Sequence, residues 1–237
     1  MKVVDHNTIR FSLRAWAAWD FASDAISRDW SSDDLRKVPS ELRRRVSPIG
    51  RRCLECGWLI TSHFEVNPKI ILASRHGEFT RTFDLLQSID KTGEVSPADF
   101  SLSVHHALAG LLSIVTRNEH GHLAVAAGKD SFGFGLLEAA ASLAESETSV
   151  LLLYFDEVLP DFFNELIAQP DCPQAFALLL ERPQAEESKN LDVEFTRLTD
   201  GCAEEQNFSW KILTAPTAQW VGDQYSWRLR LYDSSLG

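Results

Sequence analysis

Hydrophobic positions in this chain follow two periods, and they switch most sharply between His120 and Glu157. Leu123-Ala-Val-Ala-Ala127 is a short apolar run bounded by Gly121 and Gly128, a pattern that predicts a buried strand. Gly128-Lys-Asp-Ser131 is then the turn. From Phe132 to Glu145 the period becomes helical, with Phe132, Leu136, Leu137, Ala140, Ala141, Leu143 and Ala144 on the inner arc. Val150-Leu-Leu-Leu-Tyr-Phe155 predicts a second, fully buried strand.

The flanking pattern supplies the other elements. Alternation in Ile9-Arg-Phe-Ser-Leu-Arg-Ala-Trp16 predicts a first strand over Thr8 to Trp19, and Ser23 to Val38 reads as a polar surface excursion. Helical spacing of Ile49, Cys53, Cys56 and Ile60 predicts a helix from Ile49 to His63. Lys69 to Ser74 is a strand, and Glu78 to Ile89 an amphipathic helix with Phe79, Phe83, Leu86 and Ile89 as its stripe. Ser96-Pro-Ala-Asp99 has the chemistry of a helix start, so one helix is expected from Phe100 to Thr116. Pro160 to Ile167 reads as helical, Ala175 to Glu181 as a buried strand, and Trp227 to Tyr232 as a late strand. Strands joined by helical crossovers make an α/β layered sheet with helices on both faces, in a single domain.

Composition narrows the function. The 237 residues suit one large domain, and the net charge of −11 argues against a nucleic-acid binder, which needs a basic surface. No apolar run approaches the roughly 20 residues of a membrane span, and the N-terminus lacks a signal-peptide pattern; a soluble, cytoplasmic protein is expected. Arg36 to Arg52 holds seven basic residues against one acid, Glu41, a local +6 that could meet an acidic carrier protein or a partner, or be a solvated helix face. Of the cysteines Cys53, Cys56, Cys172 and Cys202, the Cys53–Cys56 pair has metal-like spacing. It lies in a helical pattern with no second pair, so no metal or cofactor is called for.

A strand-to-helix elbow is where α/β enzymes mount a nucleophile, because a helix N-terminus stabilises negative charge. This elbow presents Lys129. A base or Schiff-base role would need co-catalysts that the pattern does not show, and pairing with Asp130 or a partner carboxylate is the plainer reading. Ser131 lacks the Gly-x-Ser-x-Gly frame and reads better as a helix cap. Gly128-Lys129 lacks the upstream Gly and the following Ser/Thr of a phosphate loop. His105 and His106 are adjacent, hence about 100° apart on a helix, and form no ligand pair.

The order of these segments resembles a β-ketoacyl synthase. Ser40-Glu-Leu-Arg-Arg-Arg-Val-Ser-Pro-Ile-Gly-Arg-Arg52 is similar to the basic helix near the start of that family, and Ser101-Leu-Ser-Val-His-His-Ala-Leu-Ala-Gly-Leu-Leu112 to the helix ahead of its active-site strand. Ala124-Val-Ala-Ala-Gly-Lys-Asp-Ser-Phe-Gly133 lies where synthases carry strand and nucleophile elbow. Val150 to Asp156 and Ala175 to Glu181 resemble the paired strands closing the first half of the thiolase fold. The resemblance covers residues 8 to 182 and is greatest to the short ketosynthase-like chain length factors of aryl polyene pathways.

The resemblance implies a thiolase-like N-terminal half over 1–199, with 200–237 an extension packed on the same domain. It also implies departures: Lys129 stands at the family's nucleophilic cysteine, and the half bearing the two decarboxylation histidines has no counterpart. The expected function is a non-catalytic chain length factor paired with a full-length active β-ketoacyl synthase during fatty acid or polyketide-type elongation. The strand Leu123, Ala124, Val125, Ala126, Ala127 would be an edge pairing with the partner. The tunnel or gate candidates are Phe100, Val104, His105, Leu108, Leu112 and Phe132, with an acyl carrier protein as a further partner. The alternatives are a purely structural partner, or a stand-alone hydrolase or acyltransferase using Ser131 or Lys129.

Overall fold

Strand β1 (Asn7–Asp20) is the spine of a nine-stranded sheet. The structure, a computed structural model, describes residues 7–31, 38–40, 46–163, 172–184, 189–198 and 208–233. In β1, Phe11, Leu13, Trp16 and Ala18 face one side, and Ala15, Ala17 and Trp19 the other. The change of phase falls at a register shift against β6 between Leu13 and Ala15. An extra residue in a strand inverts side-chain parity. Here Arg14 turns out to solvent and donates to Glu181 at 2.8 Å. β2 (Ala25–Arg28) folds back on the end of β1, so the polar stretch read as a surface excursion contains a strand.

The remaining elements are α1 (Pro48–Phe64), β3 (Lys69–Ala73), α2 (Phe79–Thr92), α3 (Pro97–Ser103), α4 (Ala107–Thr116), β4 (His122–Val125), α5 (Ser131–Glu145) and β5 (Ser149–Asp156). A 3-10 turn at Asp161–Phe163 leads to β6 (Gln174–Glu181) and β7 (Lys189–Arg197), and a second at Trp210–Leu213 to β8 (Thr217–Val221) and β9 (Tyr225–Asp233). Strand order is β4-β3-β5-β6-β1-β7-β9-β8, with β2 on β1. β4, β3 and β5 run parallel, and the other pairs are antiparallel.

Both faces of the central strands are dry. Ile71, Leu152, Tyr154, Phe176 and Leu178 pack on one face against Phe132, Leu136, Ala139 and Leu143 of α5. Ile70, Leu72, Leu151, Leu153 and Leu179 pack on the other against α1 and α4. A strand covered on both sides loses polar alternation, which is why β5 and β6 are unbroken apolar runs. Cys53 and Cys56 of α1 are wholly buried there, and burial pushes both thiols up, away from the reactive thiolate. Cys202 lies outside the described residues.

Four expectations change. The single helix over 100–116 is two helices bent by 97°. Val104 is extended, the Ser101 and Ser103 hydroxyls donate back to Ala98 and Phe100 carbonyls at 2.8 Å each, and His105 reaches the Ser74 carbonyl at 2.9 Å. On α5 the buried arc is Phe132, Gly135, Leu136, Ala139, Ser142 and Leu143, while Ala141 and Ala144 face solvent. Small residues let α5 sit close to the sheet and rotate the arc. The strand expected over 123–127 ends at Val125 and is half-exposed, because among the described residues β3 alone flanks it. Of the helix expected over 160–167, Asp161–Phe163 forms a 3-10 turn and 164–167 lie outside the described residues.

Burying a leucine contributes about 1.5–3 kcal/mol, and truncation adds the cost of a cavity. Leu152→Ala therefore lowers unfolding free energy by about 2–5 kcal/mol. Leu86→Ala, on a helix with no buried residue, stays within about 0.5 kcal/mol in the isolated chain. Urea titration followed by tryptophan fluorescence measures both.

Candidate functional site

The elbow is built between β4 and α5. Gly128 takes a left-handed φ of 56°, and the Ser131 hydroxyl donates to the Gly128 carbonyl at 2.7 Å while accepting the Ala127 N–H at 2.9 Å. Both functions of that hydroxyl are spent within the turn, and Ser131 is buried. Lys129 is half-buried at the tip. Asp130, 1% exposed, points inward.

The hairpin β8–β9 closes over this turn. Asp130 Oδ1 accepts the Trp227 indole N–H at 2.7 Å, and Oδ2 accepts the Gln224 backbone N–H at 2.7 Å. In return, Asp223 Oδ2 accepts the Lys129 backbone N–H at 2.9 Å. Glycines permit the approach: a Cβ at Gly133 would overlap the Trp227 ring, and one at Gly222 would overlap the Asp130 carboxylate. Trp227 stacks on Trp220 with centroids 5.7 Å apart and planes at 6°.

The gate candidates do not gather at one place. Phe100 on α3 is 61% exposed, and Val104 at the helix break is exposed as well. His105 is half-buried and committed to the Ser74 carbonyl. Leu108 and Leu112 lie in the core beneath one face of the sheet, and Phe132 in the aromatic core on the other face, against Tyr154, Phe176 and Trp220. The five residues of the edge segment run along β4 into the elbow: Leu123, Ala124, Val125 and Ala127 are half-buried, and Ala126 is exposed. Of the basic run, Arg36, Lys37 and Arg43 to Arg45 lie outside the described residues; Arg52 pairs with Asp24 and Glu55.

A polar network at the carboxyl ends of β3 and β5 was not singled out from the sequence. Asp156, almost wholly buried, accepts the Arg75 N–H at 2.7 Å and the Tyr154 hydroxyl at 2.6 Å, and Glu157 accepts the Thr80 N–H at 2.8 Å where α2 begins. Burial raises both carboxyls, with the Tyr154 and Arg75 contacts working against it at Asp156. Burial lowers the nearby His76. The sequence signal was available: an Asp-Glu pair directly after six apolar residues, at the mouth of parallel strands where α/β ligands bind. Among the described residues no group of three or more His, Cys, Asp or Glu side chains could hold a metal ion.

Comparison with known proteins follows from this geometry. Residues 16–231 match the model of the β-ketoacyl synthase N-terminal domain, and the chain belongs to that family. Among solved structures, it is similar to a chain of the ketosynthase ApeO in complex with its chain length factor ApeC from Xenorhabdus doucetiae. That match has TM-score 0.76 and 24% identity, over 94% of this chain and 99% of that one. A chain of the AntDE:AntF complex, a type II PKS acyl-carrier protein with its ketosynthase bound to the hexaketide, matches at TM-score 0.58 and 13% identity, over 74% of this chain and 63% of that one. The ishigamide ketosynthase/chain length factor matches at 0.54 and 15%, over 80% and 68%. No curated protein sequence matched. The α/β thiolase-like ketosynthase fold stands as the sequence suggested. Among the described residues no single helix is long and apolar enough to cross a membrane, and the bent pair α3–α4 buries much of its α4 half.

The raised carboxyls set a pH dependence. A carboxyl whose folded pKa exceeds its unfolded value stabilises the fold fully below the unfolded value, near 3.8 for Asp156, and loses that contribution as pH rises through the folded one. Stability relative to Asp156→Asn therefore grows as pH falls below neutrality toward about 3.8. His76, with its folded value lowered, acts oppositely, stabilising above about 6.5, so His76→Gln removes a loss on acidification. Urea midpoints across that range for the three proteins read both slopes.

Proposed function

We propose that this chain is a non-catalytic chain length factor that pairs with a full-length active β-ketoacyl synthase and limits the acyl or polyene chain the pair makes. The observation that carries the reading is β4, an edge strand with no second neighbour among the described residues, which runs directly into an elbow holding Lys129 in place of a thiol. A protonated lysine forms no thioester of the kind a condensing enzyme holds. An apolar edge strand left unpaired invites association, and a second strand added along β4 would cover it. The likeness in fold and length to a chain of the ApeO–ApeC complex agrees with this.

In this reading residues 1–199 are the ketosynthase-like half and 200–237 an extension sealed onto it. The family match running on to residue 231 and the pairing of β9 along β7 support this reading. An acyl carrier protein would visit the pair. The reading needs neither cofactor nor metal and assigns the complex to the cytoplasm, in an aryl polyene-type pathway.

Of the gate candidates, Phe100 and Val104 have the exposure to reach a partner's tunnel. Leu86, Ile89 and Phe162 are also exposed, and Phe162 stacks on Phe83 of α2. Bulk at such a place sets length because a close-packed pocket rejects added methylenes at about 1 kcal/mol or more each. A second reading, a structural partner with no influence on length, is favoured by the burial of Leu108, Leu112 and Phe132 in this chain's own core. The hydrolase or acyltransferase alternative is weakened by the Ser131 hydroxyl, whose proton is committed to Gly128.

Co-expression with a synthase is expected to yield a heterodimer on size exclusion, and Phe100→Ala in that complex to shift products toward longer chains by mass spectrometry. An unchanged product spectrum for Phe100→Ala and Val104→Ala in an intact heterodimer would favour the structural reading. A stable monomer in the presence of the synthase would remove both.

A further inference from the structure

Acyl transfer at a strand-to-helix elbow builds negative charge on a carbonyl oxygen, and backbone N–H groups at the elbow receive it. In this chain the N–H of Lys129 already has an anion on it, Asp223 Oδ2 at 2.9 Å. Asp223 is itself exposed, and the turn that carries it is held on both sides. Gly222 N–H donates to the Tyr225 carbonyl at 2.8 Å to close the hairpin turn, and Gln224 N–H and the Trp227 indole are both bonded to buried Asp130. Each segment thus gives a carboxylate to the other's N–H groups, across 94 residues of sequence. Gly128 carries no side chain on the side where Asp223 sits, and a Cβ there would overlap the carboxylate.

We propose that the β8–β9 turn is a built-in plug: the Asp223 carboxylate occupies the anion-receiving N–H of the elbow and closes it to a carbonyl oxyanion, whatever side chain stands at position 129. This deepens the non-catalytic part of the proposed function and rests on that reading; it does not depend on partner pairing or on length control. It also makes the loss of condensation chemistry a property of two distant segments. Restoring a thiol at 129 alone does not restore acyl transfer.

The test uses the full chain with Lys129→Cys, alone and combined with Asp223→Ser or Asp223→Ala, and two probes. With p-nitrophenyl acetate, the thiolate attacks the carbonyl carbon, a C–S bond forms, the ester C–O bond breaks and p-nitrophenolate leaves; the step passes through an oxyanion. With iodoacetamide the thiolate displaces iodide, and no oxyanion forms. Lys129→Cys is expected to be alkylated readily, with acylation no faster than that of a free cysteine. Adding Asp223→Ser raises acylation at least about tenfold while alkylation changes less than about threefold. Acylation of Lys129→Cys that already equals the double variant overturns the proposal, as does parallel acceleration of both probes.

Near-ultraviolet circular dichroism of the Trp220–Trp227 stack reports whether the hairpin is intact. If the serine variant loses that signal, Asp223→Ala decides, since it removes the acceptor from the Lys129 N–H. A selective rise in acylation of about threefold or more then supports the plug, and none overturns it. Failure to pair with a synthase would leave this ratio unmoved, so the two readings fail separately.

Discussion

A carboxylate can stay buried only if its oxygens are met by donors, and Asp130 is buried at the start of α5. Its donors come from the far end of the chain, the Trp227 indole and the Gln224 amide, in hydrogen bonds to a charged acceptor worth about 1.5–3 kcal/mol each. That need fixes where β9 lies, and with it the Trp220–Trp227 stack over Phe132 and the close approach at Gly133 and Gly222. Removing one partner would strand the charge, so the elbow and the hairpin stand or fall together.

The elbow's geometry and its chemistry have come apart. Strand, turn and helix keep the path of a nucleophile mount, with Gly128 in the left-handed region and Ser131 locking the turn. Yet its tip carries a lysine, its hydroxyl is spent, and its Lys129 N–H is bonded to a carboxylate of the same chain. Among the described residues, what stays open is the sheet edge beside it. The same stretch therefore serves association better than catalysis.

Much of this was legible in the sequence because periodicity follows burial. β5 and β6 are covered on both faces and wrote themselves as apolar runs; α1 showed its stripe. Other features depend on contacts distant in sequence. The break at Val104 answers to Ser74, thirty-one residues upstream of His105, and no local pattern records it. The Arg14 bulge is visible only once β6 is alongside. Asp130 reads from sequence only as a partner for Lys129 and Asp223 carries no local signal, since their meaning lies in each other's segment. The Asp156–Glu157 pair was readable in principle, as acid placed straight after a buried strand, and was passed over in favour of the elbow.

The place of β1 in the sheet has a consequence for how the chain is made. It is synthesised well before its neighbours β6 and β7; Arg14 and Glu181, bonded across β1 and β6, are 167 residues apart. Synthesis at about 5–20 residues per second leaves this largely apolar strand without its partners for many seconds. Loop closure over so long a span is slow as well. The nascent chain is therefore most vulnerable to mispairing at its longest strand, and a cell that keeps it productive must shield β1 until the sheet's centre has emerged.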